Sequence, residues 1–283
     1  MLQITDLKLD CPAFDKYITR YSAPVIPTKA RILYFHGGGL LYGSRKDLPK
    51  QHIETLTSAG YEILAFDYPL APAAGLEIIV DDVCSSINHA CENECPYTDS
   101  SLPYFLWGRS AGAYLCLLAA AGNKLNQTPK GILSYYGYGF LCDDWFCSPS
   151  TYYQTLPTVP STCLSVIPGN LHTEGNLDTH YSVYVYARQT GEWKNLIYKG
   201  REKFFYLNYS LRLCDHLPCP LFAAHSTGDT DVPYAEFMEL CSRYQPTRFI
   251  ASGTVHDFDR DVENPLTEKL LNETLLFLKQ HSV

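Results

Sequence analysis

Short apolar, β-rich runs alternate with helical patterns along this chain, which confines it to a mostly parallel sheet with helices on both faces. The candidate strands are Arg31–His36, Tyr61–Asp67, Tyr104–Trp107, Gly131–Tyr136, Pro220–His225 and Thr247–Ile250. Most lack polar alternation, as strands covered on both faces should. Between them a helix is expected after Asp47, which suits an N-cap, with Pro49 in its first turn and Gly60 at its end. A second, Glu77 to about Glu92, sets Ile79, Val83, Ile87 and Ala90 at three- and four-residue spacing. The last takes Asn264 as cap and Pro265 as first helical residue and carries a Leu-rich stripe to Lys279.

The rhythm breaks once. About eighty residues separate Tyr136 from Pro220, where an ordinary αβ connection has ~2–6. The segment is dense in aromatics (Trp145, Tyr152, Tyr153, Tyr181, Tyr184, Tyr186, Trp193, Tyr198) and contains Pro149, Pro157, Pro160 and Pro168. Its apolar content suits packing over a neighbour, so residues 140–218 are expected to form a cap inserted into a single domain spanning 1–283. The tyrosines within it are expected to serve packing more than substrate contact.

Composition narrows the function classes. With 46% hydrophobic residues and only 18% charged, against about 25% in ordinary domains, the chain has ample apolar surface to offset its conformational entropy. The net charge of −8 comes without a basic stripe, which argues against nucleic acid and anionic membrane as partners. No apolar run approaches the ~20 residues of a bilayer span. The opening Met1–Asp6 has neither the basic nor the apolar part of a secretory leader. Eleven cysteines in such a context read as reduced thiols, and the spacings Cys91 to Cys95, Cys142 to Cys147 and Cys214 to Cys219 lack the paired two-residue gaps of a zinc site. A cytoplasmic protein with no metal and no cofactor is expected.

The sharpest chemical signal is Gly108-Arg109-Ser110-Ala111-Gly112, between the strand Tyr104–Trp107 and the helical run Ala113–Ala121. A nucleophilic serine on a strand-to-helix turn needs small residues two positions to either side, and the turn aims free N–H groups of the helix at the reacting centre. Chance yields such a pentapeptide in about one chain in ten of this length, so the flanking elements carry the weight. The second signal is His36-Gly37-Gly38-Gly39 at the end of the first candidate strand. Three glycines let backbone N–H groups approach a substrate oxygen unobstructed, as an oxyanion hole requires. A serine nucleophile also needs a base and a carboxylate to orient it. Asp229 and Asp231 follow the fifth candidate strand and His256 follows the sixth, so that the order is Ser110, Asp229, His256. His36 and His225 read as structural, and His52, His89, His172, His180, His216 and His281 as surface or packing residues.

In these motifs the chain resembles the α/β-hydrolase superfamily, nearest to the hormone-sensitive-lipase-like esterases and small bacterial carboxylesterases. The resemblance rests on His36–Gly39, Asp67-Tyr68-Pro69-Leu70-Ala71-Pro72, the serine turn, Gly228-Asp229 with Val232-Pro233, and His256. It implies an α/β-hydrolase fold, a mostly parallel doubly wound sheet with a cap inserted after the sixth strand. It implies Ser110 as nucleophile, His256 as general base and then acid, Asp229 as its orienter, and the N–H groups of Gly38, Gly39 and Ala111 as oxyanion donors. Asp231 is the rival of Asp229; the family pattern places two residues between its aspartate and Val-Pro, which favours Asp229. Arg109 stands where the family usually has an acidic residue, and Pro69 and Ala73 where it has Arg and Glu. The function implied is a serine carboxylester hydrolase acting on small or short-chain acyl or acetyl esters. The alternatives are a serine peptidase of the prolyl-oligopeptidase type and a non-catalytic ligand-binding protein. The implied partner is a small-molecule ester, with a homodimer left open.

Overall fold

The computed structural model describes residues 2–93 and 95–282. An antiparallel hairpin that the sequence pattern does not announce comes first, Gln3–Leu9 (β1) and Lys16–Ser22 (β2). Its polar residues hide it. Lys16 on β2 is buried because its Nζ reaches Asp82 and Ser86 at 2.6 Å, Thr19 donates to Asp6 at 2.6 Å, and Arg20 pairs with Glu62 at 2.6 Å. The six expected runs all form strands with slightly shifted ends: Ala30–Phe35 (β3), Tyr61–Phe66 (β4), Tyr104–Arg109 (β5), Ile132–Tyr135 (β6), Leu221–Ser226 (β7) and Thr247–Ala251 (β8). One sheet results, in the order β1-β2-β4-β3-β5-β6-β7-β8, parallel throughout from β4 to β8. Strands β3 to β7 are buried along their whole length, which accounts for their unbroken apolar runs.

The helices are Lys50–Ser58 (α1), Leu76–Ala90 (α2), Ala111–Ala121 (α3), Leu177–Thr190 (α4), Trp193–Ile197 (α5), Glu202–Asn208 (α6), Tyr234–Tyr244 (α7) and Pro265–His281 (α8). Ile53 and Leu56 of α1 join Leu270 and Phe277 of α8 in one buried cluster, while α2, α3 and α7 contribute to the other. The sheet is therefore covered on both faces, as the strand pattern predicts. Asn264 caps α8 by accepting from Leu266 N at 3.0 Å. Asp47 does not cap α1, contrary to expectation. That helix begins at Lys50 after Pro49, and the Asp47 carboxylate instead accepts from Tyr34 OH at 2.6 Å, beside Arg109.

Between β6 and β7 lie three 3₁₀ turns, Cys142–Cys147, Tyr153–Thr155 and Ser161–Val166, followed by α4, α5 and α6. Phe146, Val183, Tyr184, Trp193 and Phe205 from this segment belong to the same continuous buried cluster as α2 and α3. Among the described residues no helix is long and apolar enough to cross a membrane.

Candidate active site

Parallel strands deliver their C-terminal ends to one edge of the sheet, where loops collect functional groups. β5 ends at Arg109 and α3 begins at Ala111, so Ser110 alone makes the turn. Its φ of 52° and ψ of −118° lie where a side-chain-bearing residue goes only if its surroundings impose it. The neighbours explain why they must be glycine. A Cβ on Gly108 would stand 2.2 Å from Ala113 N, and one on Gly112 would stand 2.0 Å from the Phe35 carbonyl oxygen.

The loops after β7 and β8 are tied together by Thr227 N to Ala251 O at 2.9 Å, Gly228 N to Gly253 O at 2.8 Å and Ser226 Oγ to Val255 O at 2.7 Å. This lacing brings His256 between a hydroxyl and a carboxylate. Its Nε2 lies 2.8 Å from Ser110 Oγ and its Nδ1 lies 2.7 Å from Asp229 Oδ2. The other Asp229 oxygen accepts from Asp231 N at 2.8 Å and Val232 N at 3.0 Å. Burial opposes ionisation of Asp229, but His256, His225 and these amides outweigh it and hold the carboxyl below its usual range. His225 Nε2 lies 3.1 Å from Val232 O, and burial pushes this imidazole down, towards neutrality.

The glycine loop is oriented by its carbonyls. Gly37 O lies 2.8 Å from His36 Nδ1 and accepts from Tyr68 OH at 3.2 Å; Gly38 O accepts from Leu41 N at 3.0 Å; Gly39 O accepts from Trp193 Nε1 at 2.7 Å. In a trans peptide the N–H points opposite to the C=O. Fixing the carbonyls of Gly37 and Gly38 therefore turns the N–H groups of Gly38 and Gly39 the other way, and neither donates to a backbone carbonyl among the described residues. Gly38 takes φ +99° and Gly39 φ +58°, the left-handed region that glycine tolerates. Ala111 N–H is freed by its place in the first turn of α3.

Arg109 turns away from Ser110 into a buried polar network that the sequence does not disclose. Its Nη2 lies 3.1 Å from Asp259 Oδ1, which also accepts from Tyr136 OH at 2.9 Å, and Asp259 Oδ2 lies 2.8 Å from His52 Nε2. His52, expected only as a surface or packing residue, is thus a buried member of this network. Despite burial, Arg109 with His52 and Tyr136 holds the Asp259 carboxyl well below its ordinary value. Tyr136 also packs on His256, their ring centroids 4.7 Å apart.

A cavity of about 630 Å³ opens over Ser110, lined by Gly37, Gly38, Gly39, Tyr42, Asp47, Tyr136, Asp231 and His256. Tyr152, Tyr153 and Tyr181, from the segment between β6 and β7, also line it. Asp231 faces the cavity beside the imidazole, its Oδ2 3.9 Å from His256 Nε2. The eleven cysteines are all free.

Residues 32–167 match the model of a family described as having the alpha/beta hydrolase fold. A solved Staphylococcus aureus protein of unknown function is 29% identical, with a TM-score of 0.83 and coverage of 99% of this chain and 100% of that one. An alpha/beta hydrolase superfamily protein from Enterococcus faecalis is 25% identical, with a TM-score of 0.82 and coverage of 98% and 99%. Among curated proteins, a non-reducing polyketide synthase of Penicillium rubens is 25% identical over 86% of this chain, which spans only 11% of that protein's length. The esterase LipI of Mycobacterium tuberculosis is 26% identical over 47% of this chain and 38% of its own length.

Proposed function

We propose that this chain, which has the alpha/beta hydrolase fold of the family model it matches over residues 32–167, is a serine carboxylester hydrolase that cleaves small or short-chain acyl esters through an acyl-enzyme. The observation that carries this reading is the hydrogen-bonded series Ser110 Oγ, His256, Asp229, at 2.8 and 2.7 Å, of which Ser110 and His256 line a cavity. In the proposed reaction Ser110 Oγ attacks the ester carbonyl as His256 Nε2 takes its proton, and the N–H groups of Gly38, Gly39 and Ala111 hold the oxyanion. Collapse expels the alcohol, which carries off the proton from Nε2. Water, deprotonated by the same nitrogen, then attacks the acyl-serine, and collapse releases the acid as Nε2 returns the proton to Ser110 Oγ. The segment 140–218 serves as the cap, with Tyr152, Tyr153 and Tyr181 bounding the acyl and alcohol space.

A bounded cavity favours short acyl chains. Across 4-nitrophenyl esters, kcat/KM is expected to fall at least about tenfold from acetyl or butyryl to dodecanoyl; a rate that climbed with chain length would remove the cap from the reading. Cleavage of peptide amides in preference to esters would shift it to a peptidase. No labelling of Ser110 by a fluorophosphonate, with no turnover of any ester, would leave only a ligand binder.

The pH profile gives a second check. Turnover needs His256 unprotonated at Nε2. Burial lowers this imidazole, but Asp229, with Asp231 and Asp257 nearby, outweighs it and raises the group above its ordinary 6.5. kcat/KM should thus decline as pH falls through a limb centred above 6.5, and Asp229→Asn should move that limb to lower pH. A wild-type limb at or below the ordinary imidazole value would count against His256 as the base.

A further inference from the structure

Asp231 is the ionisable group beside the reacting atoms that the hydrolytic steps leave unused. It stands two residues beyond Asp229, yet its side chain serves a different neighbourhood. Oδ1 accepts from the buried Tyr184 OH at 2.7 Å and has Arg188 Nε 3.7 Å away, and Arg188 Nη2 donates to the Asp231 carbonyl at 3.0 Å. Arg188 is itself buried, with its guanidinium carbon 4.6 Å from the centroid of Trp145. The carboxylate is therefore anchored and charge-compensated from behind. Oδ2 has no protein donor among the described residues; it borders the cavity 3.9 Å from His256 Nε2.

That position has a chemical reading. Nε2 hands its proton to the leaving alkoxide, so during acylation the leaving oxygen sits at hydrogen-bond distance, ~2.8 Å, from this nitrogen. An acceptor 3.9 Å from the same nitrogen is within reach of a donor carried on the carbon next to the one that bears the leaving oxygen. A carboxylate oxygen that loses water when the cavity fills is costly unless the occupant donates to it. Because Arg188 already balances the charge, the donor need not be a cation, and a neutral hydroxyl suffices. Tyr42, Tyr152, Tyr153 and Tyr181 also line this space, and aromatic rings suit the C–H edges of a polyol.

We infer that Asp231 recognises a free hydroxyl adjacent to the ester oxygen, so that the substrates are partial esters of vicinal polyols, sugars included, in preference to esters of simple alcohols. The inference rests on the esterase reading. Charged hydrogen bonds lost from a buried acceptor cost enough to give a large preference.

The test compares 2-hydroxyethyl acetate with 2-methoxyethyl acetate, whose leaving groups withdraw electrons similarly but of which only the first has an O–H, with propyl acetate as the smaller apolar control. For the wild-type protein, kcat/KM for the hydroxyethyl ester is expected to exceed both others by at least about tenfold. In Asp231→Ala that ratio should collapse to within about twofold of unity, and Asp231→Asn, which keeps an acceptor oxygen, should fall between. A wild-type ratio near unity overturns the inference and needs no variant, so the test survives a variant that fails to fold. A ratio preserved in Asp231→Ala while all esters slow together also overturns it, since Asp231 would then act only through the charge on His256. Turnover of 4-nitrophenyl acetate together with a wild-type ratio near unity sinks the hydroxyl inference alone. Absence of both turnover and fluorophosphonate labelling sinks the esterase reading and the inference with it.

Discussion

Replacing Ser110 with alanine is expected to lower turnover of 4-nitrophenyl acetate by on the order of 10⁶ and to abolish fluorophosphonate labelling while leaving the fold in place. The fold should survive because the turn is built from backbone. Ser110 N donates to Tyr135 O at 2.9 Å, Tyr114 N donates back to Ser110 O at 3.1 Å, and the side chain's own hydrogen bond goes to His256. Alanine keeps the Cβ and loses only that hydroxyl. The glycine-loop amides and the cavity remain, so a small residual rate above that of water is expected. Activity of the variant at the wild-type level would remove Ser110 as nucleophile, and with it the acyl-enzyme.

Replacing Asp259 with alanine is expected to destabilise the protein by about 3–5 kcal/mol, the cost of stranding a buried charge. Arg109 is fully buried, and Asp259 is its nearest carboxylate at 3.1 Å, against 3.7 Å for Asp47. The substitution also leaves Tyr136 OH and His52 Nε2 without the acceptor they share. Such a loss is a large part of the 5–15 kcal/mol that holds a typical domain together. It would appear as a lowered urea midpoint at unchanged slope. Turnover should fall as well, since Arg109 adjoins Ser110 and Asp259 lies three residues past His256. The pair thus ties the serine turn to the loop that carries His256. An unchanged urea midpoint for Asp259→Ala would show that this network contributes nothing to stability.

Much of the fold is legible in the sequence because each piece is local. Doubly covered strands write themselves as unbroken apolar runs, α8 announces its start with Asn264 and Pro265, and the serine turn and glycine loop are each a few consecutive residues whose steric demands only glycine meets. The N-terminal hairpin is illegible for the opposite reason. Lys16, Thr19 and Arg20 look like solvent-facing residues until Asp82, Asp6 and Glu62 arrive from elsewhere to neutralise them. Asp47 misleads in the same way, since a good cap in the sequence becomes, in the folded chain, the acceptor for a buried tyrosine.

The sequence by itself determined that the chain would wind a mostly parallel sheet and which short motifs would lie at the ends of its strands, since periodicity and glycine sterics act over a few neighbouring residues. Only the tertiary structure decided that Asp229 meets the imidazole at Nδ1 while Asp231 turns into the cavity, that Arg109 pairs with Asp259, and that three tyrosines of the inserted segment line the space over Ser110. These are contacts between residues far apart in the chain. They are set by how the loops and the inserted segment pack at the strand ends, and no local pattern encodes that packing.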